Sequence, residues 1–380
     1  MNTIYLDNAA TAPMDPRVIE VMTEAMKGTF GNPSSIHSSG RDARHQLDNA
    51  RMAAAKSIGA GFNEIIFTSG GTEADNLALS GTAHALKEKG RHIITTSIEH
   101  HAVLHTCAQL EKEGFEVTYL PVDEQGLVSV KDVEASLRDD TILVSIMYGN
   151  NEIGAVQPIS EIGELTRSRG VLLHTDAVQA FGLIKIDVQA QNIDLLSISS
   201  HKINGPKGAG FLYVRKDVPI EAKMFGGEQE RKRRAGTENL PSLVGMAEAI
   251  RLSQEEMDKK AEEYKEFKKI LMESLKEEEV EFYLNGNLEH SLPHVLNLSF
   301  PGTDVESMLV NLDLAGIAVS SGSACTAGSI EPSHVLLAMF GKDSERLRNS
   351  IRFSFGITNT KEDIIQTAKE VAKVVNRLRK

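Results

Sequence analysis

The stretch EIIFTSGGTEADNLALSGTAHALKEKGRHIITTS, residues 64–97, sets an apolar run, a glycine turn, a helical pattern and a second apolar run in succession. EIIFTS (64–69) reads as a strand, TEADNLALSGTAHALKEK (72–89) as a helix and HIITTS (92–97) as a strand. The alternation continues downstream. AVLHTCAQLEKEG (102–114) has helical spacing and FEVTYLP (115–121) reads as a strand; TILVSIM (141–147) and VLLHTD (171–176) are strands with a helix at 159–169 between them. DLLSISS (194–200) and GAGFLYV (208–214) close the set. Strands alternating with helices predict an α/β fold with a largely parallel sheet covered by helices. Ligands of open α/β sheets bind at the carboxyl ends of strands, so chemistry is expected just after each apolar run.

Beyond this region, residues 238–278 read as one long helix with a strongly charged middle. A second α/β segment follows: HVLNLSF (294–300), a helix from Val305 to Leu314, SIRFSFG (350–356) and a terminal helix from Lys361. This predicts a smaller C-terminal domain, with the boundary inside the long helix. The chain has 380 residues, enough for two or three domains with a sizeable core. Lys+Arg number 41 against 53 Asp+Glu, a net charge of −12, which argues against a protein that coats nucleic acid. No run of about 18 apolar residues predicts a membrane span. The start, MNTIYLDNAAT, has no charged segment leading into an apolar run, so no secretory signal is expected. With two cysteines, Cys107 and Cys325, a disulfide framework is excluded and a reducing cytoplasm is the expected home.

Several strand ends carry reactive groups. Lys202, in SSHKINGPKGAG, follows a strand and precedes a Gly/Pro turn. A partly desolvated lysine there can form a Schiff base with a carbonyl cofactor; the alternative is a surface lysine in a turn. Asp176, in LLHTDAVQA, can pair with a pyridinium nitrogen, as a pyridoxal phosphate enzyme requires, or can be a turn residue. Gln179 lies within reach of the same ring's phenolate oxygen. TSGGTEADN (68–76) offers backbone N–H groups at a helix start, with Thr72 adding a hydroxyl, as a phosphate cup. It lacks the Walker Lys-Ser/Thr and any GxGxxG pattern, and its glycines also suit a tight turn. His100, in TSIEHHAV, can stack on a flat cofactor and shuttle protons. His101 and His105 share the i, i+4 spacing of metal ligands, but no HExxH pattern accompanies them and no metal is expected.

Cys325 lies in VSSGSACTAGSIEPSH (319–334), which is rich in Ser, Gly and Ala and reads as a long mobile loop. A cysteine displayed there suits a nucleophile that must travel. Cys107, in AVLHTCAQL, has the surroundings of a core residue. Arg352, inside the apolar strand SIRFSFG, requires an anion: a protein carboxylate or a substrate carboxylate. RKRR (231–234) reads as a solvated basic face, with an acidic partner or RNA as the sharper alternative.

Taken in order, YLDNAATAP, GNPSSIH, SGGTEADN, EHHAV, NNEIGAVQP, HTDAVQA, SSHKINGPKGAG, RAGTEN, SSGSACTAGSIEPSH and SIRFSFG resemble the cysteine desulfurases. These form the NifS/IscS branch of the class V aminotransferases, pyridoxal phosphate enzymes of fold type I. The resemblance spans essentially the whole chain. It implies a large cofactor-binding domain at 15–255 with a mainly parallel seven-stranded sheet. A small α/β domain is implied from 1–14 and 256–380, carrying the mobile cysteine loop at about 320–333. Lys202 is implied as the covalent anchor, Asp176 as partner of the pyridine nitrogen and Gln179 of the ring oxygen. Gly71, Thr72, Ser199 and His201 are implied phosphate ligands, joined by Thr237 from the other subunit of a homodimer. His100 would stack and transfer protons, Asn151 and Arg352 would hold the carboxylate of L-cysteine, and Cys325 would accept sulfur as a persulfide, leaving L-alanine.

The chain departs from housekeeping relatives at Tyr148 and Gly149 of MYGNNEIG, and RAGTEN resembles the nitrogen-fixation and tRNA-thiolation branches. The long form of the Cys325 loop favours relay to an acceptor protein, either an iron–sulfur scaffold or a tRNA-thiolating enzyme. Rival readings are an aminotransferase or β-lyase of the same fold that does not need Cys325, a non-catalytic scaffold, and RNA binding through Arg231–Arg234. Direct nucleic-acid binding and membrane association are not expected.

Overall fold

The computed structural model describes residues 3–321, 325–326, 329–330 and 332–379, with backbone alone at 325, 326, 329 and 330. Seven strands form the central sheet, in the order Ile65–Thr68, Gly210–Val214, Leu195–Ser199, Leu172–Asp176, Thr141–Ser145, His92–Thr96, Glu116–Leu120. Gly210–Val214 runs antiparallel to both neighbours and every other pairing is parallel, so the expected sheet is present. The residues alternate across it. Ile65, Phe67, Val144, Leu196, Ile198, Phe211 and Tyr213 enter one buried cluster, while Ile66, Leu143, Leu195 and Leu212 enter the cluster on the opposite face. Both faces are covered, which is why the inner strands read as continuous apolar runs. At the edge, Glu116–Leu120 buries only Leu120 and exposes Glu116 and Tyr119.

A separate core gathers Leu6, Tyr264, Phe267, Leu271, Leu298, Phe300, Ile351, Phe353 and Val371. It is built on an antiparallel sheet of Tyr283–Leu284, Val295–Ser299 and Ser350–Ser354, beneath the helix Lys361–Leu378. Thr360 caps that helix and Asp363 closes a capping box upon it. The N-terminal segment joins this core through Leu6 and through pairing of Ile4–Tyr5 with Ile317–Ala318.

The run 238–278 is not one helix. Leu240–Glu255 and Met257–Glu277 meet at a break on Glu256, whose φ/ψ is −104°/5°. The first helix buries Leu243, Met246 and Ile250 in the sheet's core, and the second buries Tyr264, Phe267 and Leu271 in the other. A straight helix cannot present both stripes to two cores, and the break re-aims the chain. Glu256 is held there by Arg17 at 2.9 Å and Lys260 at 3.1 Å.

Of the cysteine-bearing stretch, Cys325–Thr326 pairs antiparallel with Ser329–Ile330. The expectation of loop mobility falls mostly on residues outside those described, and the Cys325 side chain lies outside them too. No helix among the described residues is long and apolar enough to cross a membrane.

The basic run follows an unusual turn. Glu230, Arg231 and Lys232 all take left-handed φ values of 47°, 57° and 66°. What holds them is buried: the Glu230 carboxylate accepts from Arg51 Nη2 at 2.6 Å, from Arg51 Nη1 at 2.7 Å and from the Phe67 N–H at 3.1 Å. Removing one partner of such a pair leaves a buried charge unmatched. Glu230→Ala should therefore lose about 3–5 kcal/mol of stability in chemical denaturation. A loss under about 1 kcal/mol would mean that Arg51 finds water or another acceptor.

Candidate active site

Every parallel strand delivers its carboxyl end to the same sheet edge, where a cavity of about 410 Å³ opens. Gly71, Thr72, His100, Asn151, Asp176, Gln179, Ser199, His201, Lys202 and Arg352 all line it. Thr237 does not: it is exposed elsewhere on its own chain.

Lys202 ends the turn after Leu195–Ser199, and its Nζ donates to the carbonyls of Ala9 at 2.5 Å and Ala10 at 2.7 Å. Burial, with the Arg352 cation nearby, pulls its pKa from 10.5 down to about 8; Asp176 and Asp7 oppose that pull. Asp176 is the last residue of its strand, and its Oδ1 accepts the Val178 N–H at 2.9 Å. Burial raises its pKa, against the opposing pull of His100 and Lys202. Gln179 donates through Nε2 to the Ala9 carbonyl at 2.9 Å. His100 caps the helix His101–Lys112, its Nδ1 accepting the Ala102 N–H at 3.1 Å. That bond places the proton of the neutral ring on Nε2. Burial lowers the His100 pKa, and that of His201 falls to about 4 through burial and the cations of Lys202 and Lys207. His201 Nδ1 also meets Thr11 Oγ1 at 3.0 Å.

The turn before the helix is built by close backbone approach. Gly70 has a φ of 149°, a Cβ on Gly210 would come within 2.8 Å of Gly70 Cα, and one on Gly71 within 2.9 Å of Val178. The helical run that starts at Gly71 reaches Leu86 and contains a π-helical turn at Leu77–Gly81, so the helix expected to 89 ends earlier.

Arg352 Nη2 pairs with Asp7 at 2.7 Å and its Nη1 donates to the Asn151 carbonyl at 3.0 Å. Among the described residues its Nε has no hydrogen-bond partner, and neither has Asp75 Oδ1, whose residue also lines the cavity. Cys107 is a core residue, as expected; burial pushes its thiol up to about 12. His101 and His105 stack at 5.0 Å between ring centres. The basic run is partly tied down: Arg234 pairs with Glu73 at 2.7 Å and Arg233 donates to the Asn63 carbonyl at 2.9 Å.

The sequence reading passed over three buried carboxylates. Asp75 sits one helical turn after Thr72, and a ligand atom of Asp75, of His100 and of Asp176 all lie within 4.8 Å of one another. Glu99 is buried between Thr96 Oγ1 at 2.7 Å and the Met147 N–H at 3.0 Å, and its pKa rises to about 8. Glu152 accepts from Ser333 Oγ at 2.5 Å, and burial raises its pKa. The only advance signal was their presence within the quoted strand-end segments.

A largely desolvated amine, a buried acid, a flat imidazole and a glycine turn at a helix start suit an aromatic aldehyde that carries a phosphate. The aminotransferase class V family matches residues 4–366. IscS 1 of Bacillus subtilis (strain 168) is 64% identical over the full length of both chains. The cysteine desulfurase IscS of Methanosarcina thermophila is 50% identical, covering 99% of this chain and 93% of that one. The chain belongs to the cysteine desulfurase family of class V aminotransferases. A solved NifS-like protein superposes with a TM-score of 0.92 at 36% identity, over 99% of this chain and all of that one. Members of this family generally depend on pyridoxal phosphate.

The lowered basicity of Lys202 is directly measurable. The rate at which a small acylating reagent modifies this residue, mapped by peptide mass against pH, should have a midpoint near pH 8. In Arg352→Gln the midpoint should move up, because a nearby cation that disfavours the ammonium is gone. An unmoved midpoint would remove Arg352 from the account.

Proposed function

We propose that this chain removes sulfur from L-cysteine with bound pyridoxal phosphate and stores it as a persulfide on Cys325, releasing L-alanine. The observation that carries the reading is that Lys202 and Asp176 face one cavity, the amine weakened and the acid buried. Lys202 would hold the cofactor aldehyde and Asp176 its pyridine nitrogen. Gln179 would donate to the ring oxygen, and His100 would lie against the ring. The phosphate would take the N–H groups at Gly71 and Thr72, the hydroxyls of Thr72 and Ser199, and His201. The bound cofactor supplies an electron sink for charge developing at the substrate's Cα.

The remaining work falls to the chain. Lys202, its pKa lowered to about 8, would exchange a proton with Cα, and His100 would carry protons through Nε2 in the same cavity. Arg352 and Asn151 orient the substrate carboxylate, which competes with Asp7 for the guanidinium. The Cys325 thiolate attacks the substrate sulfur: an S–S bond forms, the Cβ–S bond breaks and a proton replaces sulfur at Cβ. Both ends of the cysteine stretch are pinned to the cavity. Ser320 exchanges backbone hydrogen bonds with Arg352, while at the other end Ser333 bonds Glu152 and His334 donates to the Glu99 carbonyl at 2.9 Å. A tether fixed at two points on the rim suits a nucleophile that must reach in to substrate and out to an acceptor.

The same reading divides the chain into a cofactor domain, 15–255, and a small domain, 1–14 with 256–380. It makes the active form a homodimer. Thr237 is exposed on its own chain, as a residue lent to a partner's phosphate would be, and Phe30, Ile36 and Phe225 are apolar side chains at least 85% exposed. The persulfide would pass in the cytoplasm to an acceptor protein, an iron–sulfur scaffold or a tRNA-thiolating enzyme.

Two variants separate the parts. Lys202→Ala should lose both the visible absorbance of the bound cofactor and alanine release from L-cysteine. Cys325→Ala should keep the absorbance and lose desulfuration by at least about a hundredfold, the scale for losing a covalent nucleophile. Full alanine release by Cys325→Ala would instead favour a β-lyase.

A further inference from the structure

His294 belongs to no motif, yet it reaches the cofactor cavity's wall from the other core. It precedes the strand Val295–Ser299, and its carbonyl accepts the Phe355 N–H at 2.9 Å. Its Nε2 lies 3.1 Å from Gln179 Oε1. On its other side, the Gln179 amide faces the Ala9 carbonyl at 2.9 Å.

These two contacts fix which way round the amide sits. A carbonyl oxygen can only accept, so the Gln179 group facing Ala9 must be the nitrogen. Gln179 Oε1 then faces His294, whose Nε2 must carry a proton to donate. The ring's environment agrees. His294 is buried with the cations of Lys268, Lys202 and Arg352 around it, and its pKa falls to about 3, so it has a single N–H at working pH. Its Nδ1 has no hydrogen-bond partner among the described residues, so the Gln179 oxygen favours the proton on Nε2. Gln179 Nε2 has two hydrogens; one is given to Ala9, and the residue lines the cavity.

We propose that His294 is a positioning residue that locks the Gln179 amide with its nitrogen toward the phenolate oxygen of bound pyridoxal phosphate. This rests on the cofactor assignment above and adds a control from the small core. With the lock in place the phenolate receives a proton donor. Without it only the Ala9 carbonyl holds the amide's orientation, and reversal, which turns the amide oxygen toward an anionic oxygen, costs less. A phenolate deprived of that donor holds the neighbouring imine proton more tightly, so the bound cofactor should deprotonate at higher pH.

The test uses the full-length, cofactor-loaded protein. His294→Phe keeps bulk and removes the donor; His294→Asn is smaller but restores one. The readouts are the pH midpoint of the cofactor's visible band and its dissociation constant. In His294→Phe the midpoint should rise by about half to one unit and the dissociation constant by about fivefold, the scale of one hydrogen bond. His294→Asn should recover part of both. In a Gln179→Leu background, His294→Phe should add nothing, because the coupling runs through the amide. Loss of fold in His294→Phe alone is covered by His294→Asn against Gln179→Leu, which must show the same coupling. An unmoved midpoint in His294→Phe, equal shifts in both His294 variants, or additive effects with Gln179→Leu would overturn the lock. Cofactor uptake by the wild-type protein together with none of these shifts in His294→Phe would overturn the lock alone. One that shows no visible band would overturn the cofactor assignment, and the lock with it.

Discussion

The site depends on keeping one amine largely out of water beside buried acids. Lys202 is placed by the end of the strand Leu195–Ser199, gripped by two carbonyls of the N-terminal segment, and crowded by Arg352 from the antiparallel sheet. No one of these elements would suffice. Without desolvation the amine would keep its usual pKa and remain a charged, unreactive ammonium. Without Asp176 and Asp7, the cost of burying it would fall on the fold. Asp75, Glu152 and Asp176 line the same cavity and Glu99 is buried next to His100 in the chain, and burial raises the pKa of each of the four. Asp75 and Glu99 both feel the Asp176 charge, which disfavours joint ionisation of these three.

The two cores divide the labour. The parallel sheet sets its strand ends side by side and supplies the groups suited to an aromatic phosphate. The antiparallel layer supplies Arg352, His294 and the anchor at Ser320 for the cysteine-bearing stretch. The break at Glu256 lets one run of helix serve both cores. The N-terminal segment joins the two halves, since Asp7 meets Arg352 while Ala9 and Ala10 meet Lys202.

What could be read from the chain follows from physics that is local in sequence. Strand period and strand ends pointed to Lys202, Asp176, His100 and the turn at Gly71, because an open parallel sheet has only one edge for its chemistry. Contacts closed over long separations were not legible. Nothing in YLDNAATAP announces that the Ala9 and Ala10 carbonyls will hold a lysine nearly two hundred positions away. His294 opens an apolar strand segment, and neither it nor Asp75 nor Glu99 has a local sequence signal that sets it apart. The single long helix was a misreading because charge spacing along 238–278 cannot reveal that two different cores claim its ends.

Lysine reactivity offers the most direct test, because the protein contains a decoy. Lys268 is also buried, with a pKa lowered to about 7, but its Nζ is spent on Ser291 and the Leu292 carbonyl and it does not line the cavity. The measurement is to load the protein with pyridoxal phosphate, reduce with borohydride and map the adduct by peptide mass. The account requires one adduct, at Lys202. An adduct at Lys268, or one spread over surface lysines, would show that desolvation without the facing acid and cavity is enough, and would contradict the site described here.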